Sequence, residues 1–292
     1  MLMKISIHAK TDVGRGRDNN EDAYTFCPDL TGPSWGADHT KGYIPLGSLG
    51  TLLVVADGMG GLNAGEVAAA VAIDTVRRAF TTEAATKAIV SDEAAIQLLT
   101  QTVKDADDAI NRRMIASPET AGMGTTIVLC WITTQKAYVA WCGDSRCYRY
   151  NADDGGLHAL TKDHSYVQEL VDRGEITEEQ AFTHPDNNII TRGLGDFCSE
   201  VQPDIVVSAV KAGDMFLLCS DGLCGYCTNE QIGQILADSE GDVARCADDL
   251  MRTALDVPGD DNICIVVASV LADDQFEPGG SKIMHLLRSL FG

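Results

Sequence analysis

Asp57-Gly58-Met59-Gly60-Gly61 places a carboxylate directly behind the apolar run Leu52-Leu53-Val54-Val55-Ala56. Such a run reads as a buried strand, and the glycines after it permit a sharp turn. The arrangement recurs: residues 137–141 lead into Gly143-Asp144-Ser145-Arg146, and residues 215–219 into Ser220-Asp221-Gly222-Leu223. Asn20-Glu21-Asp22, and Asp260-Asp261-Asn262 ahead of the apolar run 263–270, add two further acidic clusters. Carboxylates carried to strand ends can converge, and converging carboxylates repel unless cations hold them together. Oxygen donors without a matching histidine or cysteine spacing suit Mg2+ or Mn2+ rather than zinc. Two such ions roughly 3.5–4 Å apart can share a water and acidify it to hydroxide near neutrality. That hydroxide can attack phosphorus in line while the ions and an arginine neutralise the phosphoryl oxygens. Asp57 is the natural bridging ligand, because Gly58 beside it offers an unhindered carbonyl. Arg17, a few residues before Glu21 and Asp22, is the natural phosphate clamp.

Strands must deliver these groups. Strand-like runs lie at 4–9, 23–27, 51–56, 125–133, 136–142, 147–151, 205–210, 215–220 and 263–270, with Thr133-Thr134-Gln135 reading as a hairpin connection. Helical periodicity marks 65–80, which is rich in alanine, then 91–116 and 243–255. Thr177-Glu178-Glu179-Gln180 and Thr228-Asn229-Glu230-Gln231 fit capping boxes, so helices are expected to start there. Consecutive strands joined by hairpins and interrupted by helices predict an α+β fold of antiparallel sheets covered by helices. Residues 29–50 hold prolines and glycines with few periodic apolar positions and read as an insertion loop between two strands.

The chain has 292 residues, 45% of them hydrophobic, enough for one substantial domain, and no linker or repeat divides it. A formal net charge of −21 opposes nucleic acid and anionic membrane surfaces as partners. It would also repel a phosphorylated substrate unless metals and local arginines (Arg15, Arg17 and Arg146) reverse the sign at the site. The short apolar start and the absence of an 18-residue apolar run predict a cytoplasmic protein. The ten cysteines agree, since Cys130, Cys219 and Cys264 lie inside apolar runs where a reduced thiol behaves as a small hydrophobe.

The chain resembles the metal-dependent serine/threonine protein phosphatases of the PP2C (PPM) family, in their bacterial form. The matching residues are Arg17-x-x-Asn20-Glu21-Asp22, Asp57-Gly58-Met59-Gly60-Gly61 with Gly65-Glu66, and Gly122-Met123-Gly124-Thr125-Thr126. They continue with Gly143-Asp144-Ser145-Arg146, Thr161-Lys162-Asp163-His164-Ser165 and Ile190-Thr191-Arg192-Gly193-Leu194-Gly195, and close with Ser220-Asp221-Gly222-Leu223 and Asp261-Asn262. Each alone is weak, but eight in family order over about residues 5–271 are specific. The resemblance implies a four-layer α-β-β-α sandwich, two antiparallel sheets flanked by helices, with a binuclear Mn2+ or Mg2+ centre at one sheet edge. By that resemblance Asp57, Asp221 and Asp261 bind one metal. Asp57 and the Gly58 carbonyl bind the second, with Glu21 or Asp22 close by, directly or through water. Asp144 with Asp221 matches a third, weaker site, Arg17 matches the phosphate-binding arginine, and 163–190 would be a flap beside the site. Met59 stands where animal members carry a histidine, so no general acid is assigned. A single phosphatase domain over 1–271, a tail over 272–292, phosphoprotein substrates, a cognate serine/threonine kinase and a monomeric state complete the expectation.

The blander alternatives are weighed residue by residue. Aspartates after strands are usually turn formers, and the joint pattern at Asp57, Asp221 and Asp261 argues against that for these three. Cys224-Gly225-Tyr226-Cys227 has no partner pair for a zinc site and is expected to be core thiols. His164 is expected to be structural, and the amphipathic segment 282–291 to pack or fray. A non-catalytic module on the same fold would have lost a metal ligand, and none is lost. A nuclease would need a basic groove.

Overall fold

The computed structural model describes residues 2–60, 64–151, 153–197, 200–257 and 261–273; Gly61, Cys198, Asp260 and the tail from 274, with the 282–291 segment, lie outside them. In chain order the elements are β1 (Met3–Asp12), β2 (Asp22–Cys27), β3 (Ile44–Pro45), β4 (Thr51–Met59), α1 (Ala64–Ala79), α2 (Thr82–Ala88) and α3 (Asp92–Ala116). Next come β5 (Gly124–Thr125), β6 (Ile127–Ile132), β7 (Lys136–Cys142), β8 (Arg146–Asn151), β9 (Gly156–Ala159), α4 (Tyr166–Asp172), α5 (Glu178–Phe182) and β10 (Leu194–Gly195). The chain continues through β11 (Asp204–Ala209), β12 (Met215–Cys219), α6 (Asp221–Cys224), α7 (Asn229–Asp238), α8 (Val243–Asp256) and β13 (Ile263–Ala272).

Two antiparallel sheets result. One runs β3-β1-β13-β12-β8-β9; the other runs β10-β5-β4-β6-β7-β11, with β2 also paired to β4. Side chains alternate between the faces of each strand, and here both faces are covered. On β4, Leu52, Val54 and Ala56 pack under α1, α2 and α3, while Leu53 and Val55 point between the sheets. On β12 and β13, Met215, Leu217, Ile265 and Val267 face α6, α7 and α8, while Phe216, Leu218, Val266 and Ala268 meet the opposite sheet. This double burial explains why the strands read as continuous apolar runs, a pattern more usual for parallel sheets. Four layers, helix-sheet-sheet-helix, agree with the expectation.

Local signals hold the helices in place. Ser91 caps α3 by accepting the Ala94 N–H at 3.2 Å, and both capping boxes form, at Thr177 with Gln180 and at Thr228 with Gln231. The Ala-rich face of α1, with Ala68, Ala69 and Ala72 fully buried, lets that helix approach the sheet closely. Among the described residues no helix is long and apolar enough to cross a membrane.

Two details differ from the sequence expectation. The strand-like stretch 125–133 is broken at Thr126 into β5 and β6, for a reason that belongs to the site. Segment 29–50 does lie between β2 and β4, but it is more than a loop. Ile44–Pro45 crosses to the other sheet and pairs with β1, and Leu30, Leu46 and Leu49 are buried. Three well-spaced apolar anchors suffice to seat it without any periodicity.

Candidate active site

The antiparallel order brings the acidic clusters to one end of the sandwich. The end of β1, the start of β2, the end of β4, the β7–β8 turn, the end of β12 and the start of β13 all lie there. Asp22 sits directly opposite Asp57 in the β2–β4 register. Both continue the inward-facing positions of their strands, Tyr24 and Phe26 on β2, Leu53 and Val55 on β4. Asp144 follows β7, Asp221 opens α6 behind its N-cap Ser220, and Asp261 precedes β13.

Their mutual influence is physical. Burial, reinforced by Asp22, Asp221, Asp144 and Asp261, pushes the Asp57 carboxyl well above the ordinary carboxylate range. Burial also raises Asp22, Asp144 and Asp221, with neighbouring aspartates adding to each. The Asp57 carboxyl lies beside those of both Asp22 and Asp221, near enough for each to shift the other's protonation. Glu21 is raised by burial against the opposing pull of Arg17. Arg17 reaches in from the 13–21 loop and donates to Asp261 at 2.9 Å, with its guanidinium half exposed.

Close packing sets the backbone. β4 does not end at Asp57; it continues through Gly58 and Met59 by pairing with β5. Gly58 therefore serves close approach rather than a turn. A Cβ there would collide with the Gly65 carbonyl and come within 2.6 Å of the Glu21 carbonyl. Thr126 breaks β5 from β6 because it embraces Asp57. Its N–H donates to the Asp57 carbonyl at 2.8 Å, and its Oγ1 accepts the Asp57 N–H at 3.1 Å. The same Oγ1 hydrogen-bonds Ser145 Oγ at 2.7 Å, tying Asp57 to the turn that carries Asp144.

Several functional neighbours escaped the sequence reading. Ser220 Oγ donates to Asp22 Oδ2 at 2.6 Å and accepts the Cys264 N–H at 2.9 Å, linking the two sheets beside the carboxylates. His164 is structural, as expected: its Nδ1 accepts the Gly143 N–H at 3.1 Å, and its Nε2 lies 3.3 Å from Asp204. Trp141 stacks on its ring. Segment 163–190 carries α4 and α5 and is closed at its root, where Ser165 bridges Ile190. Arg146 was expected to help reverse the charge at the site; instead it is clamped bidentately on Asp163 at 2.8 and 2.7 Å and donates to Tyr148. Arg15 sits 3.9 Å from Asp256, both exposed. Cys224 and Cys227 are buried, and all nine described cysteines are free thiols.

The donor set suits a hard divalent cation: carboxylates and a carbonyl, with no histidine among them. Asp144 supplies an independent sign, since its buried Oδ1 has no hydrogen-bond partner. Among the described residues no three acidic, histidine or cysteine side chains are posed to grip one ion together. The fit therefore rests on donor chemistry and on the unpartnered oxygen of Asp144.

Residues 47–263 match the family model for protein phosphatase 2C. The chain belongs to the protein phosphatase 2C family. That match takes in Asp57, Asp144, Asp221 and Asp261. The chain is 38% identical over 226 residues to the serine/threonine protein phosphatase PstP of Mycobacterium tuberculosis, covering 76% of this chain. It spans only 41% of the mycobacterial protein's length. It is 33% identical over 258 residues to the serine/threonine phosphatase stp of Listeria innocua, covering 88% of this chain and 93% of that one. Its fold superposes on the crystal structure of the PstP catalytic domain in complex with two manganese ions, with a TM-score of 0.72 and 32% identity, over 92% of this chain and all of that one. This protein phosphatase 2C member thus shares the four-layer architecture that its sequence resemblance implied.

Proposed function

We propose that the protein hydrolyses phosphoserine and phosphothreonine in proteins with Mn2+ or Mg2+ held in its acidic end. The observation that carries this reading is the gathering of Asp22, Asp57, Asp144 and Asp221 into one environment, with Asp261 and Arg17 paired at its rim. Related phosphatases by name, and the manganese in one related structure, support it. Asp57, Asp221 and Asp261 would hold one ion. Asp57 and the Gly58 carbonyl would hold the second, with Glu21 or Asp22 at its edge, and Asp144 with Asp221 a weaker third. When bound, such cations supply Lewis acidity that ionises water near neutrality and offsets phosphoryl charge.

The chain's own residues do the rest. The carboxylates fix where cations sit, and Thr126 and Ser220 keep Asp57 and Asp22 from swinging out of register. Arg17, at the mouth, presents guanidinium donors suited to phosphate oxygens. The net negative surface leaves Arg17 as a local counter-field that orients an incoming phosphate toward Asp57. The two-helix segment 163–190 beside Asp144 would act as the flap on the substrate side.

The setting we favour is bacterial signalling in the cytoplasm, where free thiols persist. A cognate serine/threonine kinase or its targets would be the substrates, and the enzyme would act as a monomer. The decisive experiment is turnover of phosphoserine, phosphothreonine and phosphotyrosine peptides under metal titration. Turnover of the first two that rises with Mn2+ or Mg2+ supports the proposal; full activity in excess EDTA sinks it.

A further inference from the structure

We infer that Asn262 is a positioning residue: its buried amide latches the 13–21 loop and thereby sets where Arg17 meets phosphate. This rests on Arg17 being the phosphate-binding residue. The loop leaves β1 at Asp12, enters β2 at Asp22 and has no regular structure of its own. Its two stems are joined through one side chain from the far end of the sequence. Asn262 Nδ2 donates to the Val13 carbonyl at 2.8 Å and to the Asn19 carbonyl at 2.8 Å. Its Oδ1 accepts the Glu21 N–H at 2.8 Å. Both amide hydrogens and the amide oxygen are therefore engaged on the loop, and Asn262 is only 5% exposed, so water competes poorly.

The neighbouring residue completes the grip. Asp261 Oδ1 accepts the Asn262 N–H at 2.8 Å, while its Oδ2 receives Arg17 at 2.9 Å. Asn262 thus holds the loop's stems and Asp261 its arginine. Gly14, in the left-handed region at φ 74°, lets the loop pass against the Asp261 carbonyl, where a Cβ would collide. Asn19 reaches out to Glu66 at 3.0 Å, and Asn20 to Thr11 at 2.8 Å, which steadies the remaining turns. Ordering the loop before substrate arrives removes an entropy cost from phosphate binding. No other side-chain type repeats this pattern at this length. Aspartate keeps the acceptor but loses both donors, and glutamine is too long.

The test uses the full chain and two readouts. Hydrogen exchange of the Glu21 amide reports the latch whether or not the protein is a phosphatase. Phosphopeptide kinetics and competition by inorganic phosphate report its consequence. Asn262→Ala is expected to unfold cooperatively and to exchange the Glu21 amide at least about tenfold faster. It should raise KM and the phosphate inhibition constant by about tenfold, with kcat changed by less than about threefold. In the Arg17→Ala background the same substitution should raise KM no further, because both act through one interaction. An unchanged exchange rate, or effects that multiply in the double variant, overturns the inference. If Asn262→Ala does not fold, the nearly isosteric Asn262→Asp is measured by the same criteria. A wild-type chain with no phosphatase activity would sink the function proposed above while the exchange result still decided the latch.

Discussion

The space between the two sheets is built one way along most of its length and another way at its end. Along β2 and β4 the inward positions are Tyr24, Phe26, Leu53 and Val55, the last three fully buried. One register step further along the same faces stand Asp22 and Asp57. Backbone geometry is continuous across the boundary; only the side chains change. In the apolar stretch, burial stabilises by about 1.5–3 kcal/mol per large side chain. At the acidic end the same burial disfavours the charged form of each aspartate and pushes its pKa up. The difference teaches that one frame serves as core where it is apolar and gathers mutually repelling carboxylates where it is acidic, the tension that the proposed cations would relieve.

That contrast can be broken from either side. Asp57→Asn is expected to lower phosphopeptide turnover by at least about a thousandfold, on the order of 4 kcal/mol of lost transition-state stabilisation. Its metal-free melting temperature should not fall, since a repelling charge is removed; a large loss of stability would contradict the picture. Phe26→Ala should do the reverse, costing about 3–5 kcal/mol in urea unfolding. The molecules that remain folded should turn over substrate at close to the normal rate. Mn2+ at about a hundred times its dissociation constant should stabilise the wild type by about 2.7 kcal/mol, read as a rise in melting temperature. Asp57→Asn should abolish most of that rise. Ser220→Ala sits on the boundary itself, leaving Asp22 and the Cys264 N–H without their shared partner. Its expected cost is about 1–3 kcal/mol, measured by chemical denaturation.

The smallest effect is a pH trend. Asp22, Asp57, Asp144 and Asp221 all have folded-state pKa values raised above the unfolded range. The folded state therefore holds more protons than the unfolded one. Their contribution is fully present below the unfolded value near roughly 4 and is lost as pH rises through the raised values. Metal-free protein should melt lower as pH climbs toward neutrality, and saturating Mn2+ should flatten or reverse that slope.

Much of this was legible in the chain itself. The runs 51–56, 136–142 and 263–270 announced strands because both faces of each are buried, and the caps at Thr177 and Thr228 announced helices because capping is local. The elements that escaped notice are short. β3, β5 and β10 are two residues each, β9 and α6 four, and α2 and α4 seven, too few for a period to develop. By sequence Gly58 reads as a turn former, yet its smallness answers to Gly65 and Glu21, neighbours that adjacency in sequence does not reveal. By sequence Arg146 reads as a site cation, whereas in the fold Asp163 holds it.

The sequence by itself determined the ingredients: which residues are acidic, which runs are apolar enough to be strands, and the order that marks the family. Those follow from composition and short periods, which act over a few residues. Only the tertiary structure decided that Asp22 faces Asp57, that Ser220 bridges the sheets, and that Asn262 fastens a loop some 240 residues away, at a separation of 241 positions from Glu21. Such pairings depend on strand register and loop closure, which are settled by packing of the whole core rather than by any local preference.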